Sequence, residues 1–293
     1  MKSTSPFTLS ATQADDAFQA IGAARQFTLT TGFPLGSAMI DHAWNDGPSV
    51  VVFEQLAHFQ NEDGGFGCGL EVDIGSPASN PFAARLAMHI LLGLRDRPST
   101  DVEAGLRRWL ETNQDEDADW HFSDETQAGE LAPWFAAWEF PGLNPACCIA
   151  GLANQLNMTV PPMLERVAIL FAEKASLEEV RTGEFYGLLP YIEYAGGLDF
   201  PERDVYLDAM AESIMTVVGN GDYADASHFW EHALGGGPDL MRRLSKDALD
   251  RQATRLITEQ ADDGGWPTPY GEAWRPIITA QACVTLARLR AGA

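Results

Sequence analysis

Three features of the sequence predict an all-helical chain built from paired helices. No segment sustains the period-two alternation of a half-buried strand. A pattern close to fifty residues long recurs along the chain, the mark of a repeat architecture. The helical segments are of two kinds, some apolar almost all round and others amphipathic, as the inner and outer members of a helical hairpin must be.

Taken in order, Val50 to Phe59 opens on a β-branched run but continues into Glu54-Gln55-Leu56-Ala57-His58, so it reads as the end of a helix. Gln60-Asn61-Glu62-Asp63-Gly64-Gly65-Phe66-Gly67 follows it. Asn80-Pro81 then starts the apolar helix Phe82 to Leu94, because Asn caps well and Pro fits a first turn whose N–H has no partner in any case. Asp101 to Thr112 is amphipathic, with Leu106, Trp109 and Leu110 on one face. A second copy of the turn, lacking the Gly-Gly pair, runs from Asn113-Gln114-Asp115 to Asp119-Trp120.

Asn144-Pro145 precedes Ala146 to Leu156, which is small or apolar on every side. Arg243 to Gln260 is amphipathic through Leu244, Ala248 and Leu256. It leads into the third turn, Gln260-Ala261-Asp262-Asp263-Gly264-Gly265-Trp266, and Arg275-Pro276 opens the last apolar helix, Ile277 to Leu289. Phe66 and Trp266 lie 200 positions apart, and Trp120 lies 54 after Phe66. A unit of about fifty residues accounts for both intervals, so about six helical hairpins fill residues 1–293 as one domain. Periodicity alone leaves an open solenoid and a closed ring equally available.

Composition narrows the partners. Asp and Glu number 42 against 19 Lys and Arg, a formal net charge of -23, which argues against a nucleic-acid backbone or an anionic membrane surface. Residues 1–12 carry neither a secretory nor a transit pattern, and no apolar run reaches membrane-spanning length. The four cysteines, at 68, 147, 148 and 283, form no CxxC pair, so a reducing cytoplasm is expected. No nucleophile elbow, phosphate loop or dinucleotide fingerprint is present.

Gln followed by Asp-Gly-Gly and an aromatic resembles the QW-type repeat of the terpenoid cyclase and protein prenyltransferase superfamily. That resemblance implies an α/α toroid, six hairpins in an inner and an outer ring around a ligand cavity. It also implies a terpene-cyclase-like enzyme that takes an isoprenoid or similar hydrophobic small molecule through acid-initiated cyclisation or isomerisation. The sequence departs from the family where its chemistry is written. The Asp-x-Asp-Asp acid of squalene-hopene-type cyclases, the Asp-x-Cys zinc motif of the prenyltransferases and the Asp-rich and Asn-Ser-Glu signatures of ionising synthases are all absent.

In the prenyltransferases the loops after each aromatic turn supply the chemistry, which directs attention to the same stretches here. The first, Gly67 to Ser76, carries Glu71 and Asp73, expected as the starting acid and its partner. The second is the most acidic: eight of the residues from Glu111 to Glu130 are Asp or Glu. It offers His121 and Asp124 as acid-base groups and Trp120, Trp134 and Trp138 as aromatic walls. The third offers Tyr270, Trp274 and Arg275. Within the helical segments, His89 and Trp230 are expected on the cavity wall, and His228 with His232 stand at the i, i+4 spacing that can chelate a divalent metal such as zinc. No other cofactor or partner subunit is indicated. Two further readings remain open: a carbohydrate-active α/α-toroid hydrolase or lyase using Glu71, Asp73, Asp124 and Trp120, and a non-catalytic binding toroid.

Overall fold

The computed structural model describes residues 6–98, 100–221 and 223–291. Among these residues the chain is all-helical, and its only β-type pairs are the isolated bridges Gln60–Phe66 and Ile74–Leu131. Twelve longer helices dominate. They are α1 (Ala11–Thr30), α2 (Pro34–Trp44), α3 (Ser49–Leu56), α4 (Pro81–Leu92), α5 (Asp101–Thr112) and α6 (Leu143–Gln155), then α7 (Pro161–Lys174), α8 (Phe185–Gly197), α9 (Arg203–Asn220), α10 (Ala226–Gly235), α11 (Lys246–Thr258) and α12 (Arg275–Ala291). No described helix is long and apolar enough to cross a membrane.

The two helix kinds occupy different places. The even-numbered helices pack on one another in the order α4, α6, α8, α10, α12, α2, while α7 packs on α6, α9 on α8 and α11 on α10. α6 is buried from Leu143 to Ala153 except at Asn144, as its all-round apolar sequence requires. In α5 only Val102, Gly105, Leu106, Trp109 and Leu110 are buried, a single stripe. α6 and α8 approach closely because Gly151 has no side chain: a Cβ there would lie 2.0 Å from the Glu193 carbonyl oxygen.

The three turns fold alike. Gln60, Gln114 and Gln260 each donate their side-chain amide to the carbonyl four positions on, at 2.8 to 2.9 Å, and to a carbonyl of a more distant helix: Val102, Met163 and Ala20 respectively. Trp120 and Trp266 each donate their indole N–H to the carbonyl ten positions back. The fourth turn position is left-handed in all three copies, with φ 93° at Gly64, 79° at Ala118 and 89° at Gly264. The degraded copy therefore keeps the backbone shape and carries the strain of an alanine in that region.

Caps follow the sequence at some starts and depart at another. Asn80 caps α4 by accepting from Ala83 N–H, and Ser245 caps α11, three residues inside the expected Arg243 start. Asn144 has the extended backbone of a cap, at a kink in the first turn of α6, but its Oδ1 accepts from the Cys148 thiol and not from a backbone N–H.

Candidate functional site

A cavity of about 260 Å³ lies between α2, α4, α6, α10 and α12. Its wall is mixed: Met39, Leu152, Trp230 and Ile278 beside His89, His228, Glu231, Gln281 and Arg288. The polar groups arrive from helices otherwise full of apolar residues, so each has to be satisfied inside the protein or by a ligand.

Two histidines on this wall are each held by a carboxylate. His89, one turn beyond Arg85 on α4, donates from Nε2 to Glu193 Oε1 at 2.8 Å, leaving Nδ1 without a protein partner among the described residues. His228 donates from Nδ1 to Asp225 Oδ1 at 2.7 Å, leaving Nε2 in the same condition. Burial works against the His228 charge, but the hydrogen bond and charge of Asp225 outweigh it and raise the imidazole above its usual range. Asp225 also caps α10 through His228 N–H, and its Oδ2 is buried without a partner.

Behind the histidines sits an ion cluster. Arg85 binds Glu193 through Nε at 3.0 Å and through Nη2, and binds Glu231 through Nη2 at 2.7 Å. The Glu193 side chain is 1% exposed, whereas Glu231 keeps 33%, a surface that it presents on the cavity wall. Burial opposes ionisation of both acids, but Arg85 and His89 prevail and hold both carboxyls below the usual carboxylate range. His89, Glu193 and Glu231 bring one ligand atom each within 4.8 Å of one another, a grouping able to hold a metal ion. Here the guanidinium of Arg85 bonds both carboxylates and takes the position of a cation.

Glu71 and Asp73 lie in the loop before α4, where the Arg85 charge reaches Glu71. Glu71 is buried, accepts from Asp73 N–H at 3.2 Å, and is pushed up to about 8, chiefly by burial. Burial also raises Asp73, opposed by the Trp274 indole, which donates to its Oδ2 at 3.0 Å. Tyr270 packs over His228 with ring centroids 5.2 Å apart. The loop carrying Asp73 thus meets Trp274, and Tyr270 packs against His228 on α10, while none of Asp73, Tyr270 and Trp274 lines the cavity wall itself.

The remaining expected residues lie elsewhere. Trp120 is sealed in the core with its indole bonded to the Leu110 carbonyl, so it has no face for a ligand. Arg275 is occupied by Asp263 and Glu272 and lies over the Phe27 ring, a clamp on the third turn. His121 sits between Asp115 and Asp117 and stacks on Phe140; with Asp124 it lines a separate open groove by the first and second turns. Trp138 meets the Phe82 ring edge-on in a small aromatic cluster, and Trp134 is half exposed.

His228 and His232 do not form a chelate. The Phe185 carbonyl can only accept, so His232 Nε2 donates to it at 3.1 Å and Nδ1 accepts from the Tyr223 hydroxyl at 2.8 Å. Burial pushes this imidazole down to about 4, which keeps it neutral.

Sequence reasoning missed Arg85, Glu193, Asp225, Glu231 and Arg288. A lone charge inside an apolar helix was the available signal: Glu193 is the one acid of α8, and Arg85 stands one turn before His89. No protein-family model and no curated protein matches this chain.

Proposed function

We propose that the six hairpins close into an α/α toroid, and that its cavity is the site of proton transfer on a small polar molecule, a reaction of isomerase or lyase type. Ring closure is supported by the Gln260 staple, which ties the turn after α11 to α1 by the same bonds that tie the first turn to α5 and the second to α7. It is supported again by α12 packing on both α1 and α2.

The observation that carries the reaction class is the pair of carboxylate-held histidines on one cavity wall. His228, with its proton affinity raised, is the acid: its Nε2–H donates to a substrate oxygen as negative charge develops there. His89 Nδ1 is the base that removes a proton from the adjacent carbon, and Glu193 stabilises the imidazolium that results. In an isomerisation the His89 proton goes to the former carbonyl carbon while the neighbouring hydroxyl of the enediol gives its proton back to His228 Nε2; in an elimination the enol proton returns to His228 Nε2 as the oxygen group on the next carbon leaves with the proton held by His89. The mixed wall and modest volume favour a polar substrate, in line with the carbohydrate-active alternative.

The test is incubation with small aldoses, ketoses and sugar acids in D2O, followed by mass spectrometry for carbon-bound deuterium. Deuterium incorporation by the wild type that His89→Asn and His228→Asn each abolish is the expected result. Incorporation indifferent to both substitutions, or absent with the whole panel, defeats the proposal.

Glu71 favours a second reading, the cyclase-like one. A carboxyl pushed up to about 8 holds a proton at neutral pH and can give it to a hydrophobic substrate. There, Glu71→Gln would stop isoprenoid turnover while leaving the histidine-dependent exchange in place.

A further inference from the structure

Arg288 is the cavity group that the proton-transfer scheme does not use. It stands on the face of α12 that also presents Ile278, Gln281 and Thr285 to the cavity, so this wall runs roughly 15 Å along the helix axis. Among the described residues no carboxylate and no hydrogen-bond acceptor holds its guanidinium, although it is largely enclosed and burial depresses its proton affinity. The other enclosed arginines are treated differently: Arg85, Arg203 and Arg275 all have carboxylate partners. Gln281 and Thr285, beside Arg288 on that face, likewise spend no side-chain hydrogen bond among the described residues. A desolvated charge without a partner costs stability, and an internal acid would have removed that cost.

We propose that the Arg288 end of the cavity binds the carboxylate of a small acid, so that the molecule turned over at His89 and His228 is a carboxylic acid. The inference rests on the proton-transfer reading of the same cavity. A carboxylate fits better than a phosphate dianion for two reasons. One guanidinium supplies one positive charge in a bidentate fork, with neutral donors from Gln281 and Thr285 to complete it. The cavity also takes in Gly93, Gln155 and Gly235, at the carboxyl-terminal ends of α4, α6 and α10, whose carbonyl dipoles, like the Glu231 carboxylate, oppose negative charge, so the site accepts no more than the single charge that one guanidinium offsets.

The experiment is saturation-transfer NMR of the whole protein with acetate, lactate and glucuronate, set against acetamide, with inorganic phosphate read by its displacement of bound acetate. The three acids bind the wild type in preference to acetamide and phosphate; Arg288→Met weakens them about 10- to 100-fold, and Arg108→Met, at an exposed arginine of α5 outside the cavity, keeps the binding. The unliganded Arg288→Met protein melts at the wild-type temperature or above it, because an unpaired charge has been removed from the cavity wall. Binding that Arg288→Met leaves intact overturns the proposal, as does phosphate outbinding the acids, no acid binding at all, or a large drop in the melting temperature of Arg288→Met. Acid binding that needs Arg288 without any deuterium exchange upholds the anion site and removes the proton-transfer reading. Exchange on uncharged substrates that Arg288→Met does not slow does the reverse.

Discussion

The side-chain amide of Gln260 donates at 2.9 Å to the backbone carbonyl of Ala20, a residue 240 positions earlier, and at the same distance to the carbonyl of Gly264. One side chain therefore completes a local turn and ties the last repeat to the first helix. Gly264 makes the approach possible, since a Cβ there would lie 2.5 Å from the Ala23 carbonyl oxygen. Gln260→Ala leaves two carbonyls without this donor and is expected to lower stability by about 1–3 kcal/mol, read from the urea midpoint at unchanged slope. A loss no larger than that of an exposed substitution would show that this staple does not hold the chain ends together.

Glu71 sets a dependence of stability on pH. Its carboxyl rises from 4.5 to about 8 on folding, mainly through burial, so between those values the native chain holds a proton that the unfolded chain has released. The stability contribution is complete below pH 4.5 and is lost as the pH rises through about 8. Glu71→Gln keeps an acceptor for Asp73 N–H, matches the wild type near the acid end, and is more stable above the upper value by on the order of a few kcal/mol. Parallel stability curves across that range would mean that the carboxyl is not held neutral.

The Arg85–Glu193 pair is buried, so removing one partner strands the other. Glu193→Ala is expected to cost about 3–5 kcal/mol, and pairing it with Arg85→Met recovers a large part of the loss. A double-mutant cycle in urea reads the coupling. Additive losses would show that the two groups do not depend on each other.

His228 is raised by Asp225, and the sign is that of a base gaining a partner. Its contribution is complete below the usual imidazole value of 6.5 and is lost as the pH rises through the higher folded value. In Asp225→Asn the His228 ring, followed by NMR, titrates at lower pH than in the wild type. His232, already neutral and bonded at both nitrogens, keeps its position. A His228 titration unmoved by the substitution would remove the acid from the proposed mechanism.

How far the sequence could be read depended on the range of the interactions concerned. The second turn was legible despite losing both glycines, because Gln114 and Trp120 bond to carbonyls four positions ahead and ten behind. Trp120 was legible as an aromatic but not as a sealed one. What buries it is a core shared with distant parts of the chain, which local spacing does not reveal.

By itself the sequence determined that the chain is helical, where the helices pair, and which turns repeat. Those properties come from side-chain periodicity and from bonds that rarely span more than ten residues. Tertiary structure alone decided which charges meet. Glu193 reaches Arg85 and His89 across 108 and 104 positions, and among the described residues Arg288 meets no acid. It also separated His228 from His232, one turn apart on α10: one faces the cavity and the other is locked between Phe185 and Tyr223. Burial and charge pairing depend on helices from different hairpins converging in space, and local spacing carries no record of that convergence.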